Sequence, residues 1–423
     1  MALFDSHAIA DRRTRVARAF GDDAPIVLMA AGEPIPIPGG HDQVYSFIPH
    51  PHYFWLTGSR RWGGVLAYDP VEGWTHFVRP VSDAERLWEG VGEGIEGEDI
   101  ARLSDWLADR KGRSVVSTGA GVVRHDGEWA LEMAHRLDSE RRHLDAAELA
   151  FLGQAIAATA AGHVKASEVI RPGRTERQVQ LAIEHEMKCM GAHAMGYGTI
   201  VGAGDHAAVL HFEPGDRVIG HHDLVLVDAG GAVNGYTADV TRTYPAGDAF
   251  TPEQQAIYDI VADAETAAIA QCRIGVEWHA VHRAAARIIA GGLRDLQIFK
   301  GSVDALLESG AVALFFPHGV GHMLGLGVRG VGGRAPGRSG LETYCGTRIR
   351  VDLPLEIDYL MTVEPGIYFV PALLDDAGKR AEFKNLINWD ALARWRSVGG
   401  VRLEDNVLIT QDGPCILTEA IAK

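Results

Sequence analysis

Four carboxylates and one imidazole stand in short apolar stretches of this 423-residue chain. Asp228 and Asp239 lie in LVLVDAGGAVNGYTADVTRTYP, His322 in FFPHGVGHMLG, Glu364 in MTVEPGIYF and Glu404 in GGVRLEDNVLI. A carboxylate is costly to bury unless another charge or a metal ion compensates it. Taken singly, each acid could be a turn residue or a surface ion-pair partner. Taken together, in strand-like contexts, the set points to cations held among them. The donors are hard oxygens with one nitrogen, which favours Mn²⁺ or a similar ion over a dedicated zinc site.

The elements that would position two of these ligands can be read from the turn between them. Asn234-Gly235 is the strongest short hairpin signal, because both central residues of a type I′ turn need positive φ. A two-residue turn there sets Asp228 opposite Thr241 and Asp239 opposite Gly230. The aspartates then share one face as diagonal neighbours, about 7–8 Å apart at the backbone. Their carboxylates could reach one cation, or a pair about 3.5–4 Å apart as in two-metal hydrolytic sites.

The surrounding sequence reads as an α/β (α+β) protein of two domains, residues 1–140 and 141–423, since the length exceeds one usual core. In the first, short apolar runs (APIVLMA, YFWLTG, GGVLAYDP, GWTHFVRP, RSVVSTG) alternate with turn signals and predict a small sheet, with helices near Asp83–Trp88 and Glu98–Arg110. IPHPHYFW, with His50, His52 and Trp55, reads either as a contact surface or as a Pro-punctuated loop leading into a buried strand. In the second domain, Asp145 with Glu148 and Thr175 with Gln178 form capping-box patterns, and Thr251-Pro252 opens a third helix. Helix–RPG–helix recurs as helix–RIG–helix, with Gly173 and Gly275 in matching places. Each pair is followed by a histidine-bearing segment, at His211 and His318, and then by two carboxylates. This predicts a duplicated α/β unit with metals between its halves, rimmed by loops such as RGVGGRAPGRSGLETYCG.

Composition narrows the partners. A formal charge of −16 disfavours nucleic acid and anionic membrane surfaces. The opening segment has no apolar signal region, nowhere do 18 apolar residues run together, and four scattered cysteines form no CxxC pair. A cytoplasmic setting with reduced thiols is the expectation.

VLHF, VDAGG, GYTADVTRTYP, PHGVGHMLGL, TVEPGIYF and GVRLEDNV, in this order, resemble the prolidases and aminopeptidases P, metallopeptidases of the pita-bread fold. The resemblance spans about residues 141–420 and, more loosely, the N-terminal domain. It implies two divalent metal ions per chain, with Mn²⁺ favoured and Zn²⁺ or Co²⁺ as alternatives. Asp228 would bind one ion, Asp239 and Glu404 would bridge both, and His322 and Glu364 would complete the shells. Glu364 would also be the general base on a metal-bridging hydroxide's parent water. His211 and His318 would flank the substrate and stabilise its carbonyl, and Arg402 would support Glu404. The family resemblance further implies a homodimer, with IPHPHYFW near the partner's cleft.

The stretch from Arg329 to Glu364 resembles the longer prolidase form, in which Arg350 would pair with a dipeptide's carboxylate; Arg348 is an equal candidate. Where the family reads Val-His-Asp, this chain reads Val328-Arg329-Gly330. A titratable group near the substrate is thereby replaced by a permanent cation. The activity implied is hydrolysis of Xaa-Pro dipeptides. Cleavage of longer Xaa-Pro peptides, promiscuous organophosphate hydrolysis and a non-catalytic peptide- or protein-binding module are the alternatives.

Overall fold

Turn chemistry and side-chain alternation build two folding units, Met1–Arg141 and Arg142–Lys423. The computed structural model describes residues 3–91, 96–119, 127–335, 337–338, 340 and 342–423. Pro336, Ser339 and Leu341 of the proposed rim loop therefore lie outside the described residues.

The first unit holds a five-stranded sheet. Its central strands, Ile26–Ala30 and Val65–Asp69, are buried along their whole length. Ile26–Ala30 runs antiparallel to Val65–Asp69 and parallel to Val115–Gly119. One expectation fails here. YFWLTG is not a strand, because Pro51–Thr57 forms a helix. His50 caps its first turn, accepting from the His52 amide, Pro51 supplies the first helical φ, and Gly58 ends it in the left-handed region. His52, Tyr53, Phe54, Trp55 and Leu56 are all buried, whereas Pro49, His50 and Pro51 are half-buried and Ile48 is exposed. Trp55 is thus core rather than contact surface. A second departure is smaller: Glu98–Asp99 pairs as an edge strand, and the helix begins only at Leu103.

One buried carboxylate fastens this unit. Asp69 is fully buried at the end of its strand and accepts from Arg110 Nε (2.7 Å), from Arg113 Nη1 and Nη2 (2.7 and 2.8 Å) and from the Val71 amide (2.8 Å). Burial pushes its carboxyl up, but the Arg113 guanidinium, the Val71 amide and Arg110 outweigh this and hold it far below the usual carboxylate range.

In the second unit the two capping boxes form as read, opening the helices Ala146–Val169 and Glu176–Cys189, and Thr251-Pro252 opens Pro252–Gln271, where Thr251 and Gln254 form a third box. The first two helices pack together, and Pro252–Gln271 packs on Trp278–Asp295 in the same manner. Each pair lies over strands. Ile183 and Met187 share a core with Val225, Val227 and Ala229 of the strand Leu224–Ala229. Trp278, Val281 and Ile289 share another with Met361, Val363, Val401 and Val407. Because strand side chains alternate, burying Val227 and Ala229 against helices turns Asp228 to the opposite face.

The hairpin forms with the expected register. Asn234 and Gly235 have φ of 55° and 88°, and Asp228 pairs with Thr241. Val240 opposite Ala229 and Thr237 opposite Ala232 keep the same register on both sides of a break at Gly230. There the strands pass so closely that a Cβ on Gly230 would lie 1.8 Å from the Ala238 carbonyl oxygen. In the second half, the segment around His322 runs beside the strand Leu360–Val363. Thr362 N donates to His322 O (2.8 Å), and Glu364 N donates to Val320 O (2.7 Å).

Replacing Asp69 with Asn leaves two guanidiniums facing a neutral amide and should cost about 3–5 kcal/mol at pH 7. The carboxyl is depressed on folding, so its stabilisation is present above the unfolded value near 4 and fades as pH falls below it. Urea titrations of both proteins should therefore differ most at pH 7, and the gap should begin to narrow as pH falls below about 4. Equal midpoints at pH 7 would exclude this role.

Candidate metal centre and cleft

Thr241 joins the two halves. It forms an isolated antiparallel bridge to Glu404, whose amide donates to Thr241 O (3.1 Å), while Thr241 Oγ1 donates to Glu404 Oε2 (2.7 Å). Two residues on, Thr243 Oγ1 donates to Arg402 O (2.9 Å). Behind the strands, Arg242 Nη1 donates to Glu404 O and Nη2 to Asp405 Oδ1, both at 2.7 Å. These bonds carry Asp228 and Asp239 from one half up to Glu404 from the other.

The structure brings all five acids and imidazoles of the expected set into one cleft, together with His211, His318, Arg329, Arg350 and Arg402. Ligand atoms of Asp239, His322 and Glu404 lie within 4.8 Å of one another, and all three residues are buried. His322 Nδ1 lies 2.8 Å from Met323 O, which assigns the proton to Nδ1 and leaves the Nε2 lone pair toward the cluster. Nε2 is 3.3 Å from Asp239 Oδ2 and 3.7 Å from Glu364 Oε1. A lone pair facing two carboxylate oxygens is a donor set that suits a cation. Asp228 is held from outside the cluster, by Tyr197 OH (2.6 Å) and Arg402 Nη2 (2.5 Å).

The electrostatics agree with that fit. Burial raises the Asp228 carboxyl to about 6, Arg402 opposing and Asp239 reinforcing the shift. Burial also raises Glu364 against the pull of His322 and Arg402, and lifts Glu404 well above its ordinary value with help from Asp239 and Glu364. Without a cation the crowded acids favour protonation; divalent ions would restore the charged, ligating form. A second acidic cluster, Glu277, His279 and Asp352, is of another kind. Arg338 already sits 2.8 Å from Glu277 Oε2 and 2.7 Å from Asp352 Oδ1.

Three further side chains complete the site. Tyr197 orients Asp228 and Thr241 orients Glu404. Tyr368 OH receives Arg402 Nη1 (2.9 Å) and donates to His318 Nε2 (2.9 Å). Thr241 was detectable as Asp228's partner in the hairpin register, and Tyr368 by its period-two spacing in GIYF; Tyr197 has no sequence signal. His318 also has Nδ1 2.9 Å from Gly319 O, so both ring nitrogens are engaged, and burial with Arg402 nearby lowers its pKa to about 3. His211 is exposed in the cleft, its pKa lowered by burial and by Arg350, Arg329 and Arg402. Arg350 lines the cleft, whereas Arg348 donates to Gly340 O (2.9 Å) and is not among the lining residues.

Two strand-bearing halves joined around buried carboxylates, beside an open cleft, define a metal-dependent hydrolase centre. The sequence profile of the metallopeptidase family M24 matches residues 150–411. A probable Xaa-Pro aminopeptidase of Penicillium rubens is 32% identical over 409 residues, covering 90% of this chain and 87% of the relative. Another from Aspergillus fumigatus is 30% identical over 446 residues, covering 99% and 95%. Among solved structures, the aminopeptidase PepP of Pseudomonas aeruginosa superposes with a TM-score of 0.82 at 28% identity, over 100% of this chain and 97% of that one. Zinc-substituted Escherichia coli aminopeptidase P in complex with product gives 0.80 at 25% identity, over 99% and 96%. This chain belongs to the metallopeptidase family M24 and has its pita-bread fold. Membership implies divalent metal ions. The relatives carry the aminopeptidase name rather than the dipeptidase name favoured by the sequence reading.

Asp239→Asn should weaken Mn²⁺ binding by calorimetry at least about 100-fold, since a ligand changes rather than an outer partner. Asp352→Asn, in the cluster already held by Arg338, should bind Mn²⁺ as the parent does. Equal affinity in the Asp239 variant would remove that residue from the ligand set.

Proposed function

We propose that this protein is a two-metal peptidase that releases the N-terminal residue from peptides whose second residue is proline. The observation that carries the reading is the convergence of Asp239, His322 and Glu404, with Asp228 and Glu364 beside them, in a cleft of about 560 Å³. Similarity to Xaa-Pro aminopeptidases over nearly the whole chain supports the substrate class. Dipeptides are a second reading, favoured by Arg350 in the cleft wall, where a guanidinium can receive a carboxylate one residue beyond the scissile bond. Mn²⁺ is our assignment for the ions, from the hard donor set.

When bound, a pair of divalent ions supplies an acidified water and polarises the scissile carbonyl. Around them each side chain has a separate task. Asp228, Asp239, His322, Glu364 and Glu404 hold the ions. Glu364 accepts a proton on its carboxylate and returns it to the leaving proline nitrogen. His211 makes no hydrogen bond among the described residues, so its N–H is available to the oxygen that gains charge during attack. His318, engaged at both nitrogens, acts instead as the end of a rigid Arg402–Tyr368–His318 chain that fixes the wall behind Glu364. Ile200, Leu210, Phe212 and Val328 supply the apolar surface for a proline ring.

Mn²⁺-loaded protein should hydrolyse Ala-Pro-Ala, and His211→Ala should lower kcat about 10²–10³-fold, the usual loss for one oxyanion donor. Its Mn²⁺ content should match the parent's. Parent protein carrying two Mn²⁺ yet inert toward both Ala-Pro-Ala and Ala-Pro would overturn the peptidase reading.

A further inference from the structure

The cleft's charges do not balance. Two divalent cations would cancel Asp228, Asp239, Glu364 and Glu404, leaving the guanidiniums of Arg329, Arg350 and Arg402 against the single carboxylate of Glu213. Arg402 is spent within the site, on Asp228, Tyr368 and Thr241. Arg329 and Arg350 form no ion pair or hydrogen bond among the described residues, although both side chains are exposed to the cleft. Glu213 also lines the rim and likewise forms no ion pair with either.

The two arginines line the same cleft. After burial, Arg329 is the largest influence lowering Arg350, and both depress His211. Two unneutralised cations side by side repel one another, and a cleft that keeps them must recover that cost from its ligand. A single terminal carboxylate occupies one guanidinium in bidentate fashion and leaves the second facing water. Two anionic groups on the departing fragment would neutralise both.

We propose that Arg329 and Arg350 form a paired anion site that selects substrates whose leaving fragment bears two carboxylates, such as an acidic residue directly after proline. This rests on the peptidase reading. In a tripeptide with an acidic last residue, Arg350 and Arg329 take the terminal and side-chain carboxylates between them. Arg329 is then a specificity residue rather than a catalytic one. Being permanently charged, it holds this preference across neutral pH, which a histidine at the same position could not.

The test compares Ala-Pro-Glu with Ala-Pro-Ala on the Mn²⁺-loaded protein. We expect kcat/KM to favour the acidic peptide about three- to tenfold, as for a partly exposed charge pair, with the preference shrinking in about 0.5 M salt. Arg329→Gln should bring the two substrates together, and Arg329→Lys should keep most of the difference. Equal rates in the parent protein, or an Arg329→Gln loss that is the same for both peptides, would refute the paired site. Calorimetric binding of Pro-Glu against Pro-Ala separates this from the peptidase reading. Tighter Pro-Glu binding that depends on Arg329, in protein that cleaves no peptide, would leave the anion site standing and remove only the activity.

Discussion

Mutual repulsion among buried carboxylates is the constraint on which the rest of the second unit depends. Like charges about 4 Å apart repel by roughly 4 kcal/mol even at an effective dielectric constant of 20. Asp228 alone has a guanidinium within hydrogen-bonding distance; Asp239, Glu364 and Glu404 face one another and His322. Such a cluster needs a backbone that holds it rigidly, and either protons or cations to offset its charge. The isolated bridge between Thr241 and Glu404, the paired threonine hydroxyls and the Arg242 bonds to backbone oxygens provide that rigidity.

The same constraint explains the architecture around the site. A strand that must present a carboxylate on one face needs an apolar layer on the other, which the two helix pairs supply to the two halves. Neither half alone offers enough ligands, so the joint between them is where the chemistry can be. The cleft's cations follow from it as well. With metal ions offsetting the acids, Arg329 and Arg350 would be left to the substrate rather than the protein, as the proposed anion site requires.

Much of this was legible in the chain. The Asn234-Gly235 turn fixes strand register by a local rule, so the relation of Asp228 to Thr241 followed without tertiary information. The capping boxes at Asp145 and Thr175 and the helix start at Thr251-Pro252 are equally local, and all three formed. Pro51–Thr57 was misread because a fully buried helix has no polar face, and its apolar run imitates a strand. The choice between Arg348 and Arg350 turned on where the short strand Thr347–Arg348 ends, since Arg350 lies past it in a bend, and Tyr197 reaches Asp228 across 31 positions; neither has a periodic signature. The family resemblance supplied roles that spacing alone could not. It also drew the reading toward dipeptides, whereas the relatives matched over the full chain are aminopeptidases.

The central claim is that these five side chains exist to hold divalent cations at the joint between the halves. Crystals of the Mn²⁺-loaded protein, measured above and below the manganese absorption edge, address it directly. The account requires two anomalous peaks about 3.5–4 Å apart, both bounded by Asp239 and Glu404, with Asp228 beside one and His322 and Glu364 beside the other. Anomalous density found only elsewhere, for example at Glu277 and Asp352, with none between Asp239 and Glu404, would contradict it.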